Sequence, residues 1–528
     1  MPPDPHAIER LLTQVERLNA IGIALSAEED HDRLLETILL GAKELTNAEG
    51  GSVYRVDGER LVFEIVRNDV LGMSYGGTSG RPVPFPSLTI RRGQEPARSV
   101  VTHAVLTGRT VNIPDAYHAE GFDFTGTRAF DGQTGYHSTS FLTVPMRNHE
   151  DEITGVLQLI NARDDQGRVH PFGEADQRLV ESLASQAATA ITKRDLIDGM
   201  ARLFEAFIEL IATAIDEKSP YTGGHCRRVP ELTMLLAEAA AAHQRGPLAG
   251  FTMSDADRYE LKIAGWLHDC GKVTTPEWVM DKATKLQSIN DRIDLIATRF
   301  EVFRRDAEIA HLRGNLDAEG FAAAGAELDE ALAFLRRTNM GGEFLRPEDQ
   351  LRVRTLASRT WIRADGSLQP WLTPDEVENL CIPKGTLLPQ EREVINHHMV
   401  ATIKMLEKLP FPKHLKRVPE YAGGHHERMD GKGYPRGLTR DQMSVQARIM
   451  GIADVFEALT AGDRPYKKAM PLSQALAILG RMAETGHIDP DLFQIFMDAG
   501  VYRIYAERFL TPDQRDVVDL TRIPGYRP

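Results

Sequence analysis

From Glu174 to Asp216 the chain contains no proline, and its apolar residues return every seven positions. Leu183, Ala190, Ile197, Phe204 and Ile211 form one column. Ala187, Arg194, Ala201, Ile208 and Ile215 form a second, offset by four, with Arg194 alone out of place. Two such columns are the a/d seam of a coiled coil, so the stretch is read as a long helix that pairs with a second copy of the chain. The competing reading is two ordinary amphipathic helices, each packed on its own domain. Lys218–Ser219–Pro220 ends the run, because the residue before a proline is pushed out of helical geometry. A helix of this length divides the chain into two parts that fold separately.

The part before it changes character twice. Residues 7–47 read as helical, with Ile8, Leu11, Leu12 and Val15, then Leu34, Leu35, Ile38 and Leu39, at helical spacing. Residues 50–165 carry short β-prone runs, SVYRV, LVFEIV, FLTVPM and GVLQLI, separated by Gly, Pro, Asn and Asp. Ser140–Met146, a charged turn and Thr154–Asn161 read as a hairpin, taken as edges of one antiparallel sheet. Helices at both ends make this an α+β domain. From Tyr221 to about Ala506 the pattern is almost wholly helical, interrupted by two charged amphipathic helices over Gln287–Arg337 and a looser stretch to about Pro389.

Composition excludes some functions. Among 528 residues the formal net charge is −14, which argues against broad attraction to nucleic acid but leaves room for a local basic pocket. The three cysteines, Cys226, Cys270 and Cys381, form no CxxC pair and fit a reducing compartment. Cys226 and Cys270 are read as small packing residues. The N-terminus lacks the basic and apolar regions of a signal peptide, and no apolar run is long enough to span a bilayer. The expectation is a cytoplasmic protein that binds neither DNA nor membrane.

Five segments of the helical part supply metal-type donors: Gly224–His225; WLHDCGK with His268, Asp269 and Lys272; INHHM with His397 and His398; AGGHHERMDGKGYP with His425, His426 and Asp430; and GIADVFEALT with Asp454. Imidazole and carboxylate suit iron, manganese or zinc. Five histidines and two aspartates drawn from these segments already exceed the needs of one ion and match a two-metal site with open positions. Two cations about 3.5–4 Å apart activate water and neutralise a phosphoryl group, which is the chemistry of phosphoester hydrolysis.

HDCGK together with HHERMDGKGYP resembles the HD-GYP subgroup of the HD-domain phosphohydrolases, over about residues 205–500 apart from the long insert. The resemblance implies an all-α bundle holding two divalent transition metals, iron first and manganese as the alternative. It implies ligands at His225, His268, Asp269, His398, His425, His426 and Asp454, with Asp269 as the bridge and as a catalytic residue. Lys272 would lie beside the scissile phosphate, as substrate contact and possible acid. Some members bind a third metal through a Glu four residues before the first histidine; Tyr221 stands there, so two metals are expected. Gly431, Gly433 and Pro435 shape a loop along the substrate groove, where Tyr434 stacks or hydrogen-bonds. Arg464 and Lys467 in DRPYKKA resemble the family's cationic contacts to a cyclic dinucleotide. The implied reaction is hydrolysis of cyclic di-GMP to linear dinucleotide, GMP or both, with cyclic GMP-AMP as an alternative substrate. A non-catalytic cyclic-dinucleotide effector and a hydrolase of another nucleotide are the rival readings.

Residues 10–195 resemble a GAF domain, through NIPDAYHAEGFDF, TGYHSTSFLTVPM and GVLQLINARDDQGRVHPF. The cyclic-nucleotide-binding GAF signature is matched by Asn161, Phe172 and Asp176 but broken by Ala162 and Gln177. The Lys–Asp ion pair of that signature cannot form, so the ligand is left as an unknown small molecule. The expected organisation is a GAF domain with N-terminal helices over 1–178, a linker helix over 179–216, an HD-GYP domain over 217–507 with an insert at about 287–388, and a tail over 508–528.

Overall fold

A computed structural model describes residues 5–90, 99–218, 224–341, 344–462 and 469–528. The chain divides into two compact units, Met1–Phe204 and Glu205–Pro528.

The first unit starts with two helices, α1 (Pro5–Ala27) and α2 (His31–Thr46). The Asp30 carboxylate accepts from Arg33 N and caps α2. Strands β1 (Ala48–Asp57), β2 (Arg60–Asn68), β3 (Met73–Gly76) and β4 (Leu88–Thr89) follow, then helix α3 (Val100–Thr107) and strand β5 (Val111–Ile113). Helix α4 (Thr125–Thr134) precedes β6 (Phe141–Arg147), β7 (Ile153–Arg163) and β8 (Val169–His170). The sheet is antiparallel in the order β3-β2-β1-β7-β6-β5, with β4 paired to β2 and β8 to β7. The expected hairpin is present as β6–β7, but it is not an edge. β1, from far upstream, pairs along the free side of β7, because the backbone N–H and C=O groups of this buried strand need partners on both edges. Ile38, Leu39 and Ala42 of α2 close one face of the sheet over Val53, Leu142, Leu157 and Leu159.

Helix α5 runs unbroken from Glu174 to Lys218. Only part of the expected seam is free. Leu183 and Ala187 join Val180, Ala184 and Ile191 in the core of the first unit, and Ile208 and Ile215 are buried in the second. The apolar residues left on the surface are Leu196, Met200, Leu203, Phe207 and Leu210, with Ile197 and Ile211 beside them. Their spacing of four, three, four and three is again a heptad seam, shifted from the columns read in the sequence. Of the columns read in the sequence, Leu183, Ala187, Ile208 and Ile215 face the chain's own cores, while Ile197 and Ile211 stay exposed.

The second unit is helical: α6 (His225–Ala242), α7 (Asp255–Leu267) and the short α8 (Glu277–Met280), with a 3-10 turn Cys270–Thr274 between α7 and α8. The insert holds α9 (Ile293–Leu312), α10 (Ala318–Asn339), α11 (Pro347–Ala357), a two-stranded hairpin β9 (Thr360–Ile362) and β10 (Leu368–Pro370), and α12 (Pro374–Leu380). It has its own core, built on Phe300, Phe303, Phe334, Leu335, Val353 and Leu380. The bundle resumes with α13 (Pro389–Leu406), α14 (Val418–Gly423), α15 (Val445–Thr460), α16 (Leu472–Glu484), α17 (Pro490–Asp498) and α18 (Val501–Phe509). The residues after α18 pack back on the bundle: buried Gln514 donates to Thr460 O at 2.8 Å and Met470 O at 3.3 Å.

Candidate metal centre

Seven side chains from three helices and two helix ends meet in the bundle. His225 is the first residue of α6, His268 and Asp269 follow α7, and His398 lies within α13. His425 and His426 come just after α14, and Asp454 lies within α15. They form two overlapping donor groups. One holds His225, His268, Asp269 and Asp454; the other holds Asp269, His398, His425 and His426. Within each group one donor atom per residue lies within 4.8 Å of all the others. Asp269 is common to both, the position expected of a bridging carboxylate.

The imidazoles are aimed by the backbone. Nδ1 of His268, His398 and His425 each donates to the carbonyl three residues earlier, Gly265 at 2.7 Å, Ile395 at 2.5 Å and Ala422 at 2.7 Å. That bond fixes the ring orientation and turns Nε2 inward, the atom a metal would take. His268 Nε2 lies 3.3 Å from His225 Nε2 and 3.2 Å from Asp269 Oδ2. His225 Nε2 is 3.2 Å from Asp269 Oδ2 and 3.3 Å from Asp454 Oδ1. Asp269 Oδ1 lies 3.4 Å from His398 Nε2 and 3.9 Å from His425 Nε2. Adjacent His397 is exposed, so α13 presents His398 alone.

Three of these inward atoms, Asp269 Oδ1, His398 Nε2 and His425 Nε2, are buried without a hydrogen-bond partner. Leaving a buried polar atom unsatisfied costs about 1–3 kcal/mol. Three such atoms converging, all of them acceptors, fit the coordination of divalent cations. Burial holds His426 down to about 4, so this ring is a neutral ligand at pH 7. Burial also lowers His425. For Asp269 burial works in the opposite direction, but the Lys272 ammonium and the His268 and His225 rings overcome it and keep the carboxyl well below its ordinary range. Lys272 Nζ sits 2.5 Å from Asp269 Oδ2. Cys226 and Cys270 are buried, their thiols pushed up by burial, Cys270 to about 11, and neither joins a donor group.

One residue escaped the sequence reading, and one named there as a donor lies outside the donor groups. Glu457, one turn beyond Asp454 on α15, accepts from Nδ1 of His225 and from Arg228 Nε at 2.7 Å. This carboxylate orients the only ligand ring of α6. The signal was present as the pair of carboxylates in GIADVFEALT, but a Glu on a helix face is ordinarily solvated, and only packing buries this one. Asp430, counted among the donors, turns away from the centre: it pairs with Arg428 at 2.8 Å and accepts from Lys432 N. Tyr434 stacks on His426 with ring centroids 4.8 Å apart. A side chain at Gly433 would press on the Glu427 backbone at 2.4 Å, which explains a glycine in this tight loop. Arg464, Lys467 and Tyr221 lie outside the described residues.

Residues 30–191 match the GAF domain family, and residues 370–492 match the HD domain family. The chain carries a GAF domain and an HD domain. Curated proteins similar to this chain carry the names of cyclic-dinucleotide phosphodiesterases. Over 356 residues the chain is 29% identical to a 3'3'-cGAMP-specific phosphodiesterase of Vibrio cholerae, covering 65% of this chain and 52% of the relative. It is 30% identical over 216 residues to a probable cyclic di-GMP phosphodiesterase of the same organism, covering 37% and 46%. It is 48% identical over 84 residues to a cyclic di-GMP phosphodiesterase of Pseudomonas aeruginosa, covering 16% and 19%. The chain thus spans about half the length, or less, of these relatives. In the GAF domain, Asn161 is buried and engaged on both amide atoms: its oxygen accepts from Thr139 N and Ser140 N, and its nitrogen, with two protons, lies within hydrogen-bond distance of Glu49, Tyr136 and His137 O. Asp176, without the lysine partner of the nucleotide-binding signature, accepts from Gly173 N at the start of α5.

Proposed function

We propose that the HD domain is a phosphodiesterase that hydrolyses a cyclic dinucleotide, cyclic di-GMP, to the linear dinucleotide and GMP. The observation that carries this is the pair of donor groups sharing Asp269, with unpartnered acceptor atoms turned inward. His225, His268, Asp269 and Asp454 would hold one divalent cation, and Asp269, His398, His425 and His426 the other. Two cations in such groups supply an activated water and neutralise charge on a phosphodiester. Iron is the first candidate and manganese the second, given the His-rich donor set.

Lys272 keeps a positive charge beside the centre: burial opposes it, but Asp269 and Asp454 raise its pKa further. It is suited to bind a phosphate oxygen and to steady the leaving oxygen. Tyr434, stacked over His426, offers a flat face for a base, and Arg464 and Lys467 remain candidate phosphate contacts. A second substrate, 3'3'-cGAMP, is favoured by the relative with the longest match among those named, which is specific for it. The GAF domain is read as the regulatory half, and α5 as the dimer contact, in a cytoplasmic enzyme.

Metal analysis of anaerobically purified protein, coupled to chromatography of cyclic di-GMP and 3'3'-cGAMP after incubation, tests the reading. Bound iron or manganese with release of linear dinucleotide or GMP is expected, and neither should survive in Asp269→Asn. Protein that binds the nucleotide with full metal content and never cleaves it would make the domain an effector instead.

A further inference from the structure

The last turn of α5 ends on the metal centre from two sides. Asp216 and Lys218 are two residues apart, so they project about 200° apart around the helix. Asp216 turns toward α6. Its carboxylate accepts from Gly224 N at 3.0 Å and from Cys226 N at 3.3 Å, the amides on either side of His225. The residue in the capping position of α6 is Gly224, which has no side chain to offer, so the free amides of this helix start are satisfied by a carboxylate from another helix.

Lys218 turns toward the segment that follows Asp269. Its ammonium donates to Lys272 O at 3.3 Å, to Val273 O and to Thr275 O at 2.7 Å. An ammonium has three protons, and three carbonyls here take them. These carbonyls belong to the 3-10 turn Cys270–Thr274 and its exit, the turn that begins at Asp269 and contains Lys272. Neither Asp216 nor Lys218 belongs to a donor group.

We infer that Asp216 and Lys218 are positioning residues that hold His225 against Asp269 and Lys272, and that through them α5 sets the geometry of the metal centre. The inference rests on reading the centre as a metal site. Because the two side chains leave the helix in nearly opposite directions, a rotation of its last turn strains both attachments at once. The spacing between the His225 side and the Asp269 side of the centre then follows the angle of α5. A regulatory input that reaches α5 has a bonded route to the ligands, and its strength is a coupling free energy between α5 and the metal.

The test uses full-length protein with Lys218→Met, Lys218→Arg and Asp216→Asn. Three quantities are read: Mn²⁺ affinity by chelator competition, the thermal midpoint, and amide exchange of the metal-free protein over 224–228 and 268–275. Lys218→Met should weaken Mn²⁺ by about 10-fold, the low end for groups that orient metal ligands. Exchange should quicken over those two segments only. Lys218→Arg, which keeps donors for the carbonyls, should recover most of the affinity. Asp216→Asn, which keeps an acceptor but loses the charge, should fall between. Wild-type affinity and exchange in Lys218→Met would overturn the inference, as would equal losses in the Met and Arg variants with a lowered thermal midpoint. If wild-type protein binds no Mn²⁺, the metal reading fails, and the exchange pattern alone decides. Quickening limited to the two segments supports the tie, and quickening spread over the bundle refutes it.

Discussion

Asp269 shows how much one residue can depend on its neighbours. Buried beside four imidazoles and an ammonium, it stays ionised because the Lys272 charge and the His268 and His225 rings outweigh the cost of desolvation. The ring of His225 depends in turn on Glu457 and Arg228. Glu457→Gln should lower metal affinity about 10–100-fold while leaving the seven ligands in place, measured by chelator competition. Gly271 is a different kind of constraint. A methyl group there would lie 2.0 Å from His398 O and 2.6 Å from Thr402 Oγ1. Gly271→Ala should therefore cost about 1–3 kcal/mol in thermal unfolding and lower metal content, since the turn must lift off α13. Lys285 reports on the insert. Its ammonium is buried, donates to Leu380 O and Ile382 O, and is pushed down by burial from 10.5 to about 8. Between about pH 8 and 10.5 the unfolded chain holds more protons at this site than the folded one, so unfolding free energy rises with pH across that window. Lys285→Met should stabilise the protein at pH 7 and lose that part of the pH dependence, checked by thermal scans at pH 7 and pH 10.

At the scale of elements, α5 decides most. Its heptad columns are genuine, but a seven-residue repeat does not say whether the buried partner is the same chain or another copy. Leu183, Ala187, Ile208 and Ile215 are spent on the chain's own cores. The face that remains, Leu196, Met200, Leu203, Phe207 and Leu210, is apolar and exposed. Unpaired, such a stripe is costly in water; against a second α5 it becomes a knobs-into-holes seam. On the proposed reading of α5 as a dimer contact, the wild-type chain should sediment as a dimer and Leu203→Glu as a monomer, with the helical content of each unit retained. The insert is the second informative element. Its helices surround a core of their own, and Lys282, paired with Glu391 and Asn379, ties its base to α13. It is more than a loop, which agrees with the amphipathic pattern over Gln287–Arg337.

For the whole molecule, two units with separate cores imply two unfolding events. On the proposed reading a metal binds only the folded second unit, so removing it should lower one transition and leave the other. Calorimetry of the full chain with and without a chelator should show one midpoint falling while the GAF transition stays in place. A single transition that moves as a whole would mean that the units unfold together.

Periodicity and residue type were enough to assign an α+β half and a helical half, and the resemblance carried by short motifs pointed to the seven side chains that form the two donor groups, because those signals are local. HDCGK and HHERMDGKGYP are short contiguous motifs, and His398 was separable from His397 by the segment that follows it. Tertiary structure alone decided that Glu457 holds His225, that Asp430 faces away, that β7 lies inside the sheet, and which stripe of α5 stays exposed. Each of these depends on which groups lose contact with water when distant segments pack. Burial and the pairing it forces are properties of the assembled core, and no stretch of sequence carries them by itself.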